Sequence, residues 1–272
     1  MKPSDKLHAA GANSDGRPIR KSANGKEKRP SRFYGTPLPG VKEEELSGAL
    51  IAIEGTDGSG RSTQISLLTE WLESEGFAVQ TTGLRRSSLV ADDIDALLAE
   101  NSVTRLTLAL MYSTDFFDQL ERRILPALRS GLVVLADRYI YTLIARGAVR
   151  GIGRDYLHGI YEMALRPDLT FWLNVRPEVA FDREFKKSHT ISYWESGRDM
   201  SLSNDLFQSF IRYQSLIKKE FEYLSRRHGF IELDGEGSVP AVNRELRKRI
   251  GAHLGIKGTH YEPSHALAGL WR

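Results

Sequence analysis

The segment Gly55-Thr56-Asp57-Gly58-Ser59-Gly60-Arg61-Ser62-Thr63 constrains this 272-residue chain more than any other stretch. Before it runs an unbroken apolar segment, Ala49-Leu50-Ile51-Ala52-Ile53; after it, Ile65, Leu68, Trp71 and Leu72 recur at helical spacing. A continuous apolar run of that kind reads as a strand buried on both faces of a parallel sheet. The junction matches the phosphate-loop pattern G-x4-G-K-[ST], except that Arg61 stands where the pattern has lysine. Gly55, Gly58 and Gly60 permit the turns that aim successive N–H groups inward, and the following helix N-terminus adds its own free amides. The segment therefore reads as a polyphosphate cradle, with the Ser62 hydroxyl placed to meet a magnesium ion.

The rest of the chain alternates in the same manner. Strands are expected at Phe77-Ala78-Val79-Gln80, Leu132-Val133-Val134-Leu135-Ala136, Leu169-Thr170-Phe171-Trp172-Leu173-Asn174 and Phe230-Ile231-Glu232-Leu233. Helices are expected at 92–100, 103–130 with a kink or break at Pro126, 202–228 and 239–254. Strands separated by helices of this length imply right-handed βαβ crossovers. The expected fold is α/β, a three-layer P-loop NTPase domain over 47–256 with a parallel sheet flanked by helices.

Charge is divided unevenly. Residues 1–34 carry nine Lys or Arg against three acids, a surplus of +6, so the overall +3 leaves the remainder at −3. The high pI belongs to this head and does not argue for a nucleic-acid-binding fold. Residues 1–46, rich in Gly, Pro, Ser, Asn and Lys, are expected to be a disordered basic segment, in the first reading a solvated tail and in the second a tether to nucleic acid or an anionic surface. Residues 257–272 are expected to form a tail. No apolar run reaches the roughly 18 residues of a membrane helix. The absence of cysteine removes disulfides, thiolate metal sites and thiol nucleophiles, and fits a cytoplasmic setting.

Arg61 keeps the positive charge of the usual lysine but replaces a compact ammonium with a wide planar fork. Three outcomes follow: a slower kinase, a kinase with a repositioned donor, or a nucleotide-binding module without turnover. A second constellation, Asp137-Arg138-Tyr139, closes a buried strand at the edge where open α/β sheets bind ligands. Asp137 is expected to hold a magnesium-bound water, and Arg138 to neutralise charge on a phosphoryl group in transfer. No G-x-S-x-G nucleophile elbow and no paired histidine metal spacing is present.

Taken in order, Ile53 to Gly60, Ser62-Thr63-Gln64, Ile124-Leu125-Pro126-Ala127-Leu128, Asp137-Arg138-Tyr139 and Asn174-Val175-Arg176-Pro177-Glu178-Val179-Ala180 resemble the thymidylate kinase family across about 49–253. The resemblance implies transfer of the ATP γ-phosphoryl group to deoxythymidine monophosphate (dTMP), magnesium dependence and a homodimer. It places Asp57 at the acceptor sugar and phosphate region, Tyr112 against the acceptor base, and Arg85 or Arg86 at the acceptor phosphate. Departures are visible: the usual Arg-Glu-Pro is missing, and Phe116 stands where an arginine is expected. Arg146 is a candidate to supply the charge that Phe116 cannot. The resemblance also implies a short lid, about 183–201, in which Arg198 is the favoured cation for the transferred phosphate and Lys187 the second. Tyr193 and Trp194 would pack beneath the lid or stack on adenine. The rival readings are a kinase for another acceptor and a catalytically weak ATP-binding regulatory module.

Overall fold

Every residue of strand β1 (Ala49–Gly55) is buried, and successive side chains leave it toward opposite faces. Leu50 and Ala52 join one apolar cluster, Ile51 and Ile53 the other. The same alternation repeats in β3 (Val133–Asp137) and β4 (Leu169–Asn174), so this one sheet separates two cores. With β2 (Val79–Gly83) and β5 (Ile231–Asp234) it forms a five-stranded, wholly parallel sheet in the order β2-β3-β1-β4-β5. Helices α1 (Arg61–Ser74) and α9 (Val239–Leu254) cover one face. The other face is covered by α3 (Arg105–Gln119), α4 (Leu125–Arg129), α5 (Ile140–Val149) and α8 (Leu206–His228). Short α2 (Ala91–Glu100) and α6 (Arg154–Ile160) and the longer α7 (Pro177–Ser188) complete the expected three-layer α/β architecture. The computed structural model describes residues 31–257, so the basic segment 1–30 and the tail from 258 lie outside the described residues. None of the described helices is long and apolar enough to cross a membrane.

Three local expectations shift. The second strand lies at Val79–Gly83, not Phe77–Gln80. Phe77 instead packs with α1, while the polar Thr82 stays in the strand because its hydroxyl donates to Gln119 Oε1 at 2.7 Å. The helix expected over 103–130 is interrupted by a π turn at Leu120–Ile124 just ahead of Pro126. Proline supplies no N–H to the preceding turn, and the backbone widens there. Residues 32–46, expected to belong to the disordered segment, are instead tied to the domain. Phe33 is 1% exposed and bridges Leu165, Leu46 is buried, and the Arg32 guanidinium donates to Leu46 O at 2.6 Å and to Asp168 at 3.1 Å. A composition average hides two well-placed anchors.

One buried carboxylate joins the sheet to the far layer. Glu54, on the same face of β1 as Leu50 and Ala52, is 0% exposed. It accepts the Tyr139 amide at 2.9 Å and the Thr142 hydroxyl at 2.5 Å, which seats the N-terminus of α5 against β1. Burial pushes its carboxyl up from the ordinary 4.5 to about 7, against the pull of Thr142 and Tyr139. The folded state therefore keeps this proton up to about pH 7, whereas the unfolded chain releases it near 4.5. Stability from this group is present below the lower value and lost as pH rises to the upper, by about 3 kcal/mol. Urea titrations at pH 5 and pH 8 should show that loss in the parent chain and a much smaller one in Glu54→Gln; equal slopes in both would refute the assignment.

Candidate active site

The phosphate loop leaves β1 at the carboxyl edge of the sheet, where the ends of β2 and β3 also converge. Gly58 has φ +75, and a Cβ there would lie 2.2 Å from the Ala180 carbonyl of α7, so only glycine lets the loop pass this close. Gly60, at φ +88, caps α1. The first intrahelical bond runs from the Gln64 amide to Gly60 O, which leaves the earlier amides of Arg61, Ser62 and Thr63 outside the helix ladder.

Arg61 turns into the loop. Its Nη1 donates to Gly55 O and Thr56 O, both at 2.5 Å, and to Ser59 Oγ at 2.8 Å, while Nε donates to Asp137 Oδ1 at 3.1 Å. The guanidinium thus staples the loop to the end of β3. The loop acceptors all meet one nitrogen, as a lysine ammonium also could; what the guanidinium adds is the second nitrogen, Nε, that holds Asp137 at the same time. Beside it, Ser62 Oγ donates to Asp137 Oδ2 at 2.7 Å. Two adjacent hard oxygens bordering a phosphate cavity suit magnesium, which keeps water and phosphate among its ligands. Among the described residues no group of three or more His, Cys, Asp or Glu is arranged for a metal ion, so most ligands would come from the nucleotide and water.

Asp57 is the hub of the site. Its 6%-exposed side chain pairs with Arg138 from the end of β3 and with Arg146 of α5 at 3.1 Å, and accepts from Gln214 Nε2 of α8 at 3.3 Å. Two guanidinium groups share one carboxylate, which leaves net positive charge. Burial, then the neighbouring Arg146, push Arg138 down to about 9. Arg138 Nε, Gln214 Oε1 and Thr56 Oγ1 are buried without hydrogen-bond partners. Of these, Arg138 Nε and the Thr56 hydroxyl are donors beside an excess of positive charge, which an anionic ligand would satisfy.

Two cavities flank this hub. A cavity of about 520 Å³ is lined by Asp57 to Gln64, Asp137 and Arg138, and on its far side by Arg183 and Lys187 of α7. A second, of about 420 Å³, has Leu98, Leu108, Tyr112 and Leu143 as apolar wall and Arg85, Arg105 and Arg146 as cations. Arg85 and Glu195 line both, so they mark the seam between them. Arg85 adopts φ 58 and Arg138 φ 70, an uncommon conformation for a side-chain-bearing residue. At Arg85 it is held by Asp115 of α3, whose carboxylate accepts the amides of Arg85, Arg86 and Ser87 at 2.8, 3.0 and 2.9 Å.

The structure brings together most of the residues singled out in sequence. Ser59, Gly60, Arg61, Ser62, Thr63 and Asp137 border the larger cavity; Tyr112 and Arg146 border the smaller. Gly55 and Thr56 do not line either cavity and serve as carbonyl acceptors for Arg61. Phe116 points away into a ring cluster with Phe117, Tyr139 and Tyr161. Arg198, favoured as the lid cation, lies exposed on a 3-10 turn and borders neither cavity; Lys187 and Arg183 do. They sit four residues apart on α7, which extends through Ser188 into the segment expected to be lid. Tyr193 and Trp194 line the smaller cavity, away from the phosphate loop. Gln214 and Glu54 were missed. Gln214 had a signal: it is a polar residue on the stripe Phe210, Gln214, Ile217, Phe221 that α8 buries.

A family model described as thymidylate kinase matches residues 53–228. A relative named "Probable thymidylate kinase 2" from Saccharolobus solfataricus is 37% identical over 210 residues, covering 77% of this chain and 98% of its own length. The thymidylate kinase of Caldicellulosiruptor saccharolyticus is 30% identical, covering 75% and 97%, and that of Pelobacter propionicus 31%, covering 81% and 99%.

The Arg61 staple has a measurable weight. Arg61→Lys keeps an ammonium for the loop carbonyls but loses the Nε contact to Asp137, a charge-assisted bond whose loss costs about 2 kcal/mol. The nucleotide-free protein should melt about 5 °C lower by calorimetry. An unchanged melting temperature would show that the guanidinium is not structural.

Proposed function

The chain belongs to the thymidylate kinase family, and from that premise we propose that it transfers the γ-phosphoryl group of ATP to dTMP, giving ADP and dTDP. The observation that carries this reading is the pair of cavities meeting at a seam, one beside a phosphate loop and one walled by a tyrosine and apolar side chains. ATP belongs in the first, with its β- and γ-phosphates on the amides of Gly58 to Thr63. The acceptor belongs in the second, with its base against Tyr112 and its phosphate toward Arg85, Arg138 and Arg146. An oxygen of the acceptor phosphate bonds to the γ-phosphorus. The bond from that phosphorus to the β–γ bridging oxygen breaks, and the electron pair leaves with ADP. A phosphate monoester is largely dianionic at neutral pH, so the nucleophile needs no side-chain base. Catalysis is then positioning and charge balance.

Each residue has a part in this scheme. Arg61 braces the loop and Asp137, and Ser62 with Asp137 would hold a magnesium ion, which would supply charge neutralisation to the nucleotide's phosphates. Asp57 aligns Arg138 and Arg146 by binding both. Lys187 and Arg183 supply positive charge from α7 in the place expected of Arg198. Arg146 carries the acceptor-side charge that Phe116 cannot offer. A second reading, an ATP-binding module without turnover, is favoured by one feature: the Arg61 guanidinium is committed to loop carbonyls and Asp137.

A homodimer fits the exposed face of α3, where Leu106 and Leu110 lie four residues apart at 48% and 41% exposure. Leu110→Glu should shift the sedimenting species from dimer to monomer; a parent chain that sediments as a monomer would exclude this interface.

A coupled ADP-release assay with ATP and magnesium across nucleoside monophosphates and nucleosides tests the activity. Turnover is expected with dTMP. Arg146→Ala should raise KM for dTMP about tenfold or more, the loss of one charge-assisted contact, with the ATP KM little changed. An unmoved dTMP KM would remove Arg146 from the acceptor site. ATP binding without turnover on any acceptor would favour the binding module.

A further inference from the structure

Glu195 is a carboxylate where the scheme above has phosphate. It shares with Arg85 alone the distinction of lining both cavities, which puts it on the path of the transferred group. Its backbone is fixed: the Glu195 amide donates to Ser192 Oγ at 3.1 Å, and its carbonyl accepts from Gln214 Nε2 at 3.0 Å, the same amide group that reaches Asp57. Neighbouring Trp194 is fixed as well. Its indole donates to Leu98 O at 3.1 Å and its carbonyl accepts from Arg150, whose guanidinium also grips Asp199 and the Tyr213 hydroxyl. Yet the Glu195 carboxylate accepts no hydrogen bond and joins no ion pair among the described residues; its interaction is the longer-range attraction of Arg138 and Arg146.

An anion held in place by its backbone, with a free head at a phosphate seam, has a consistent physical effect. It lowers the affinity of the seam for any ligand that extends negative charge into it. A nucleoside monophosphate ends at the acceptor side, where Arg85, Arg138 and Arg146 meet it. The diphosphate made from it carries one more phosphoryl group, and that group must lie across the seam. The donor's γ-phosphate meets the same repulsion, but the loop amides and the α7 cations hold the rest of its polyphosphate. The product has no such second anchor.

We propose that Glu195 is a specificity-determining residue that sets the acceptor site against its own diphosphate product, so that substrate is retained and product expelled. The inference rests on the acceptor-site reading given under the proposed function. It assigns a task to a residue whose presence is costly in a site built to attract phosphate, since an unpaired carboxylate weakens the field of the arginines around it.

The test is calorimetric titration of the nucleotide-free full chain with dTMP and with dTDP, in the parent protein, Glu195→Gln and Glu195→Asp. Removing the charge in Glu195→Gln should tighten dTDP about tenfold and leave dTMP within about twofold. Glu195→Asp, which keeps the charge, should preserve the parent ratio of the two affinities. In turnover Glu195→Gln should lower kcat and the dTMP KM together, leaving kcat/KM little changed, and show a first-turnover burst of ADP as product release becomes limiting. Equal shifts for both nucleotides, no shift for either, or an altered ratio in Glu195→Asp would overturn the proposal. Its failure is distinct from that of the underlying reading, which fails if the parent protein does not phosphorylate dTMP at all, and the proposal then falls with it.

Discussion

Asp57 is short and almost wholly buried, and four separate parts of the fold meet on its two oxygens: the phosphate loop that carries it, the end of β3 through Arg138, α5 through Arg146 and α8 through Gln214. A buried carboxylate is costly unless it is paired, and a buried guanidinium likewise. Neither the loop nor α5 can relax alone without leaving a charge stranded. This mutual dependence fixes the distance between the two layers that hold the cavities. Because one carboxylate faces two guanidinium groups, the arrangement is neutralised only in part, and the remaining positive charge is available to an anionic ligand.

Glu54, two turns of the pleat from Leu50 on the same face, extends the logic one step deeper. Its carboxyl sits against the first turn of α5, where amides are free of the helix ladder. Arg146 therefore reaches Asp57 from a helix whose start is pinned to Glu54 of β1, three residues before Asp57. The sheet supplies the reference frame, Glu54 sets the helix on it, and Arg146 carries the registration into the site.

The central architecture was legible because it is repetitive. Strands β1, β3 and β4 announce themselves as apolar runs, and the loop announces itself by its glycines between such a run and a helix. What the sequence could not display depends on which side chains face one another. Thr82 looks too polar for a buried strand position until Gln119 is seen beside it. Phe33 and Leu46 are isolated apolar residues in a polar stretch, and their value comes from a bridge to Leu165 and the hold of Arg32 across 136 positions to Asp168. The basic residues near the lid are interchangeable by composition. Only the helical phase of α7, which continues to Ser188, turns Arg183 and Lys187 toward the cavity and leaves Arg198 out. Gln214 shows the converse case, a polar residue whose position on an apolar stripe already betrayed it.

The departures at Arg61 and Phe116 become intelligible together as a redistribution of charge. Arg61 is spent on the loop carbonyls and Asp137, so it stiffens the phosphate cradle instead of standing free within it. Phe116 fills an aromatic cluster behind Tyr139, and its absence from the smaller cavity is matched by Arg146 entering from α5. Rigidity in this site is also stored in the backbone. Arg85 and Arg138 both occupy the left-handed region, at a cost of about 1–3 kcal/mol each. Asp115 holds the first through three amides, and the second donates its amide to Ile53 O at 3.1 Å. Such strain persists only where surrounding contacts over-determine it. Its location at the ends of β2 and β3 means that the two arginines nearest the seam are aimed by the fold before any ligand arrives, so little of the binding energy of a nucleotide need be diverted to organising them.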